Sequence, residues 1–196
     1  MRSTSNRDYV IKVVSEMFLL RGFACTSMDD VVKQSGVSKS NIYYHFKSKD
    51  ELTLAVLENY ISTLQNLFRE QSQDDEGQLL PRLERYIEQL IQDLAERDCV
   101  GGCPLMSLMV EAGKTNEAVR VRLAQFFQQQ KDQLTQLLEE GKRRGEVRND
   151  LPASVLASLI SSWLEGMLML ASIQKSASTL RGERDALLSM LKASPE

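Results

Sequence analysis

Residues 26–52 read TSMDDVVKQSGVSKSNIYYHFKSKDEL, and the fold turns on how this stretch is punctuated. Ser27 with Asp30 three residues later has the form of a capping box, in which a hydroxyl and a carboxylate satisfy each other's backbone N–H groups. A short helix therefore opens there and runs to about Gln34, where Ser35-Gly36 closes it. Ser38 caps a second short helix over 38–44. Ser48 with Glu51 repeats the capping-box pattern and starts a longer helix through Leu52, Val56, Tyr60, Leu64 and Leu67. Two short helices joined by a glycine turn have the dimensions of a helix-turn-helix, although many helical proteins contain such a pair.

The content of the second short helix carries more than its length. Ser38, Lys39, Ser40, Asn41, Tyr43, Tyr44 and His45 surround only two clearly apolar residues, Ile42 and Phe46. Short hydroxyl and amide side chains reach base edges or phosphates, Lys39 suits a guanine or a phosphate, and aromatic rings contact thymine methyls. Lys49 in the first turn of the fourth helix, and Thr26 and Ser27 at the start of the second, are placed to meet phosphates. One of Tyr43 and Tyr44 is expected to pack in the core with a tethered hydroxyl, since neighbours on a helix face different ways.

Outward from this stretch the chain keeps reading as helix. Val10, Val13, Val14, Met17 and Phe18 give residues 6–21 an apolar face, stopped by Gly22, with Phe23 entering the core behind it. Further helices are expected at about 78–97, 104–112, 116–143, 152–174 and 179–192. The breaks between them fall at the polar run Gln71–Gly77, at Gly101-Gly102 before Pro104, at Gly113, at Gly145 before Pro152, and at Ser176–Thr179. No segment reads as a strand, so the class is all-α with about nine helices. The expected division is a helix-turn-helix domain over 1–48 and a second helical domain over 49–196, connected by the helix running from 48 to about 70.

The net charge of −3 argues at first against a nucleic-acid partner, but it is unevenly distributed. Residues 1–50 hold eight Lys/Arg against five Asp/Glu, and between Val31 and Lys49 there are four lysines and no acid. The head is basic and the remainder acidic. No run approaches the ~18 uninterrupted apolar residues of a membrane span, and MRSTSNRDYV lacks the apolar core of a signal peptide, so the expectation is a cytoplasmic chain without a membrane partner. Three cysteines make a disulfide framework improbable on number alone. Catalysis has little to rest on: the one histidine lies in the recognition helix, and there is no metal-ligand cluster, phosphate loop or dinucleotide fingerprint. Neither enzyme activity, catalytic residues, a metal nor a cofactor is expected.

The run from Phe18 to Leu52 resembles the DNA-binding domain of the tetracycline-repressor (TetR) family. Phe18, Gly22, Phe23, Thr26, Ser27, Val31, Gly36, Val37, Ser38, Ile42, Tyr43, His45, Phe46, Lys49 and Leu52 carry the resemblance in fixed register. It implies phosphate or base contacts for Thr26, Ser38, Lys39, Tyr43, His45 and Lys49. Val32 stands where the family commonly has alanine, and Ser40-Asn41 where glycine or proline with threonine is common; these departures bear on which operator is read. The later chain is similar through its helical layout, through Gly102-Cys103-Pro104-Leu105, and through Gly145-Glu146-Val147 followed by Trp163 and Glu165-Gly166. The resemblance implies a homodimer formed by the last two helices, here residues 152–192, on a double-stranded operator. It also implies repression relieved by a small-molecule effector. The competing reading is a helical interaction module that keeps the fold without reading DNA.

For the effector, Met106, Met109, Phe126, Phe127, Trp163, Met167 and Met169 form an apolar set on helices that the family's architecture would group around a cavity, and such residues equally fill cores. Glu111 is either an anchor for a cation or a solvated helical carboxylate. Cys103 precedes Pro104 and is expected at a helix N-cap, where the dipole favours a thiolate; it could sense electrophiles, with Cys99 as resolving partner, or both could be inert. Cys25 is expected in the core.

Overall fold

The computed structural model describes residues 5–72 and 78–193. Among them are nine α-helices: α1 (Asn6–Arg21), α2 (Met28–Ser35), α3 (Lys39–His45), α4 (Lys49–Ser72), α5 (Leu79–Glu96), α6 (Pro104–Glu111), α7 (Glu117–Arg143), α8 (Ala153–Gln174) and α9 (Leu180–Leu191). The only extended pairing in this set is a single antiparallel bridge between Val147 and Lys192. The all-α class expected from periodicity is the class found. Most of Gln71–Gly77, expected as a polar break, lies outside the described residues, but α4 extends through Ser72.

The chain forms two compact units. The first comprises residues 1–64 and 104–124, the second residues 65–103 and 125–196. Helices α4 and α7 each run from one unit into the other, while α6 belongs with the N-terminal helices, a grouping that chain order does not display.

In the first unit the helix ends follow from local chemistry. Ser5 caps α1 by accepting from the Asp8 N–H, and Gly22 ends it at φ +83°, donating back to the Phe18 carbonyl. The capping box at α2 is closed in both directions: Ser27 Oγ accepts from the Asp30 N–H at 3.2 Å, and the Asp30 carboxylate accepts from the Ser27 N–H at 2.9 Å. The Ser27 hydroxyl, which donates to the same carboxylate at 2.5 Å, and then the Ser27 N–H hold the Asp30 carboxyl below its usual range. Gly36, left-handed at φ +67°, ends α2. At α4 the box opens by one residue: Ser48 Oγ accepts from the Glu51 N–H, but the Glu51 carboxylate reaches back to the Lys47 N–H at 2.7 Å instead of to Ser48. The unit's core contains Val10, Ile11, Val14, Met17, Phe18, Val31, Ile42, Phe46, Leu52, Val56 and Leu57.

In the second unit α5 buries Leu79, Leu83, Tyr86, Ile87, Ile91 and Leu94, a helical stripe facing α9. Its first N–H groups have no side-chain cap from Gln78; the Glu146 carboxylate, far along the chain, accepts from the Leu79 N–H at 2.6 Å. An ionic cluster staples the outer edge, with Glu88 paired to Arg181 at 2.7 Å and Arg184 at 2.5 Å. Those cations lower the Glu88 carboxyl, Arg181 most. After α5 the backbone turns left-handed at Asp98, Cys99, Gly101 and Gly102. Arg97 ties this loop together, donating to the carbonyls of Asp93, Val100 and Gly102. By length and composition α8 is apolar enough to cross a membrane. Its apolar residues are divided between a buried face of Leu156, Ile160, Leu164, Met167 and Leu168 and an exposed one, the pattern of a helix with two apolar contacts to make.

Candidate nucleic-acid interface and the interior of the second unit

Helix α3 is anchored by two residues one turn apart. Ile42 and Phe46 are 0% and 1% exposed, and the opposite face of the helix is open. That face presents Lys39, Ser40, Tyr43 and Tyr44, flanked by Ser38 and the half-buried Asn41 and His45. Tyr43 and Tyr44 are 36% and 74% exposed, so the expected core tyrosine is not found. The reason is spacing: Ile42 and Phe46 already fill the inward positions, and both rings fall outside them. Lys39 and Lys47 set their ammonium groups 5.9 Å from the ring centroids of Tyr43 and Tyr44 respectively. Lys39 also pairs with Asp29 at 2.9 Å, and both partners are exposed. His45 meets Tyr44 edge-on at 5.0 Å.

The residues expected to flank α3 divide into two kinds. Ser27 is exposed, but Thr26 is buried and its hydroxyl donates to the Gly22 carbonyl at 2.9 Å, closing the turn between α1 and α2. Cys25 in the same turn is exposed, contrary to the expected core position, because Thr26 occupies the inward place beside it. Lys49 is half-buried and donates to the Phe23 carbonyl at 2.6 Å, with its ammonium 3.8 Å from the Phe23 ring centroid. Burial lowers its pKa, with the nearby carboxylate of Glu111 foremost among the charges opposing the shift. Glu111 is half-buried, and its Oε2 accepts from the Ala24 N–H at 2.8 Å.

Of the residues expected around an effector, Cys103, Phe126, Phe127, Trp163 and Met167 lie in the second unit, and Met106 and Met109 in the first. Cys103, Phe126 and Met167 are buried, Phe127 and Trp163 half-buried, and the two phenyl rings meet edge-on at 5.4 Å. Met106 and Met109 are half-buried, whereas Met169 is exposed. Cys103 directly precedes the first residue of α6, as expected, and it is a buried thiol hydrogen-bonded to Glu165.

Sequence reading had missed the role of that glutamate. Burial pushes the Glu165 carboxyl up, opposed by the Cys103 hydrogen bond, and its Oε2 is buried with no hydrogen-bond partner among the described residues. Tyr86, whose hydroxyl accepts from Gln130 Nε2 at 3.4 Å, is pushed up by its own burial and by the nearby Cys103 and Glu165. Tyr86 also lines a tight, mainly apolar cleft with Phe68, Leu79, Arg82, Leu83, Leu134 and Leu137, about 270 Å³ including its mouth. A signal was available in the sequence: Glu165 is the sole charged residue of α8, ASVLASLISSWLEGMLMLASIQ.

A buried carboxyl with one oxygen unpartnered destabilises the fold when it ionises. Because its folded pKa is raised, stability is full below the ordinary carboxylate range and is lost as pH rises through the raised value. Glu165→Gln removes the charge and leaves an acceptor for Cys103. The variant is expected to match the parent at the acidic end and to exceed it progressively towards neutral pH, by about 1 kcal/mol or about 2–4 °C in Tm. Thermal melts of both proteins at a series of pH values check this, and parallel curves would mean that the carboxyl is already satisfied.

Two family models match the chain. One, described as bacterial regulatory proteins of the tetR family, covers residues 10–56; the other, the tetracyclin repressor-like C-terminal domain, covers residues 80–187. The chain belongs to the TetR family. Like other TetR-family proteins it is a DNA-binding transcriptional regulator that responds to a ligand. Among TetR relatives, the HTH-type transcriptional repressor DhaR of Mycobacterium sp. (strain GP1) is 28% identical over 181 residues, 92% of this chain and 89% of that one. A TetR transcriptional regulator from Chloroflexus aurantiacus superposes with a TM-score of 0.81 at 28% identity, covering 94% of this chain and 92% of that one. The TetR regulatory protein of Rhodobacter sphaeroides, at 21% identity, shares the fold with a TM-score of 0.87 over 95% of this chain and 98% of that one. The all-α reading and the TetR resemblance both stand.

Proposed function

We propose that this chain is a repressor that holds a palindromic operator as a homodimer and leaves it when a small, mainly apolar effector enters the second unit. The observation that carries the reading is the two-faced α3, fixed from behind by Ile42 and Phe46 and presenting Lys39, Ser40, Tyr43 and Tyr44 outward. Asn41 and Tyr43 are assigned to base edges, and Ser27, Ser38, Lys39 and Lys49 to phosphates. Such a regulator acts on the chromosome, in the bacterial cytoplasm.

Dimerisation through residues 152–192 is supported by the exposed apolar stripe of α8, namely Val155, Leu159, Met169, Leu170 and Ile173, with Met190 on α9. A Cβ built on Gly166, on the same side of α8, meets nothing within 4 Å, which leaves room for a second helix to approach closely. The effector is assigned to the second unit, where Phe126, Trp163 and Met167 supply apolar surface and Tyr86, Cys103 and Glu165 a polar centre. The cleft beside Tyr86 has free space for about one water. A ligand of many atoms entering there must displace side chains, so it binds one shape of the unit better than the other, and that difference is what shifts a two-state regulator. An electrophilic effector would meet the Cys103 thiol in the same cluster. Cys103→Ser then separates the two modes, abolishing release by an electrophile and preserving release by an unreactive apolar molecule.

The test is binding of the purified protein to a duplex selected from random DNA, at several salt concentrations and against random competitor. Tight binding that survives the competitor is expected; binding no better than random would favour an interaction module. Within that assay Lys49→Ala is expected to flatten the dependence of log K on log salt by about one unit, without altering sequence preference. An unchanged slope would mean that Lys49 stays on the Phe23 carbonyl and meets no phosphate.

A further inference from the structure

The turn between α1 and α2 is held from two sides. From α6, Glu111 Oε2 accepts from the Ala24 N–H at 2.8 Å; from α4, Lys49 Nζ donates to the Phe23 carbonyl at 2.6 Å. Within the turn, Thr26 Oγ1 donates to the Gly22 carbonyl at 2.9 Å, and Phe23 meets Phe18 edge-on at 5.5 Å. The carboxylate lies so close that a Cβ on Gly22 would stand 2.8 and 2.9 Å from its two oxygens and push it aside, while φ +83° itself favours glycine there.

Glu111 is locally misplaced. It is the only charged residue of α6, PLMSLMVE, and it closes the helix, where the backbone dipole disfavours a carboxylate. What offsets that cost is its bond to the Ala24 N–H and the charge of Lys49. The turn it grips leads directly into the cap of α2 at Ser27 and carries the carbonyl on which Lys49 rests. Ser27 and Lys49 are the two groups that must stand at a fixed spacing to meet successive phosphates, and such contacts set the register of a reading head on its duplex.

We propose that Glu111 is a positioning residue for operator binding: it touches no DNA, and it fixes the Gly22–Thr26 turn so that Ser27 and Lys49 face the phosphate backbone in register. The proposal rests on the operator-binding reading above. Its own signature is local and can be read without DNA, as hydrogen exchange at the Ala24 amide in the full-length protein.

The experiment compares the parent, Glu111→Ala and Glu111→Gln in amide exchange and in binding to the duplex that the parent selects from random DNA. Glu111→Ala is expected to lose protection at Ala24, to keep protection in the interiors of α1 and α2, and to bind the duplex about tenfold more weakly. Glu111→Gln, whose amide oxygen still accepts from the Ala24 N–H, is expected to recover both. Unchanged affinity in Glu111→Ala would overturn the proposal, as would Glu111→Gln binding as weakly as Glu111→Ala. Loss of protection throughout α1–α3 would reduce Glu111 to a stabilising residue. A parent that selects no duplex would sink the operator reading instead, and Ala24 exchange would still report whether the latch exists.

Discussion

A chain carrying Leu159→Glu and Ile173→Glu is expected to be a folded monomer that no longer holds its operator. Both residues are more than half exposed in the single chain, at 55% and 70%, so the subunit has little reason to resist the change. In a two-fold symmetric dimer each substitution occurs twice, and the four new carboxylates face a surface that includes Val155, Met169 and Leu170. Fully burying an aliphatic side chain of this size contributes about 1.5–3 kcal/mol, and only the part still exposed in the single chain is left to bury, so the four losses come to about 4–7 kcal/mol before any desolvation of charge. That corresponds to a weakening of dimerisation by about 10³- to 10⁵-fold. A reading head that sees one half-site loses the contribution of its twin, so operator affinity falls with the dimer. Sedimentation equilibrium and circular dichroism check the first half of the expectation, and operator binding the second. A double variant that remained dimeric would place the interface elsewhere.

The same helix shows what a sequence can and cannot disclose. Its length, its start at Pro152 and its apolar character were all legible, as were the nine helices and their glycine stops, because these depend on local periodicity and caps. The reading of α3 was legible too, through Ile42 and Phe46 four residues apart. What failed was the assignment of neighbours that periodicity leaves ambiguous: one of Tyr43 and Tyr44 was expected inward, and Cys25 likewise, although Thr26 and the Ile42–Phe46 pair already occupied those positions. Glu111 and Glu165 were harder still. Each is the sole charge of its helix, which marks it as anomalous, but the partner that explains it, Ala24 in one case and Cys103 in the other, is far away in sequence and is supplied only by the fold.

Phe46→Ala is expected to abolish operator binding while leaving the dimer intact. Phe46 is among the largest fully buried side chains, it ends α3, and the Arg7 guanidinium lies 5.6 Å from its ring centroid. Truncating a buried phenylalanine to alanine costs about 3–5 kcal/mol, a large share of the roughly 5–15 kcal/mol that stabilises an ordinary domain. The loss falls on α3, whose anchoring depends on two side chains; with one removed, Ile42 alone holds a seven-residue helix, too short to persist without tertiary contacts. Residues 152–192 belong to the second unit, so association of chains should survive. Tyr43→Ala supplies the contrast. Its ring is outside the core, so stability should change by no more than about 0.5 kcal/mol, while the preferred operator sequence shifts. Thermal melts, sedimentation and selection from random DNA on the two variants would separate a residue that builds the reading surface from one that reads. If Phe46→Ala still bound its operator at parental affinity, α3 would be held by something other than its buried face. If Tyr43→Ala selected the parental sequence, base readout would have to come from Asn41 and its neighbours.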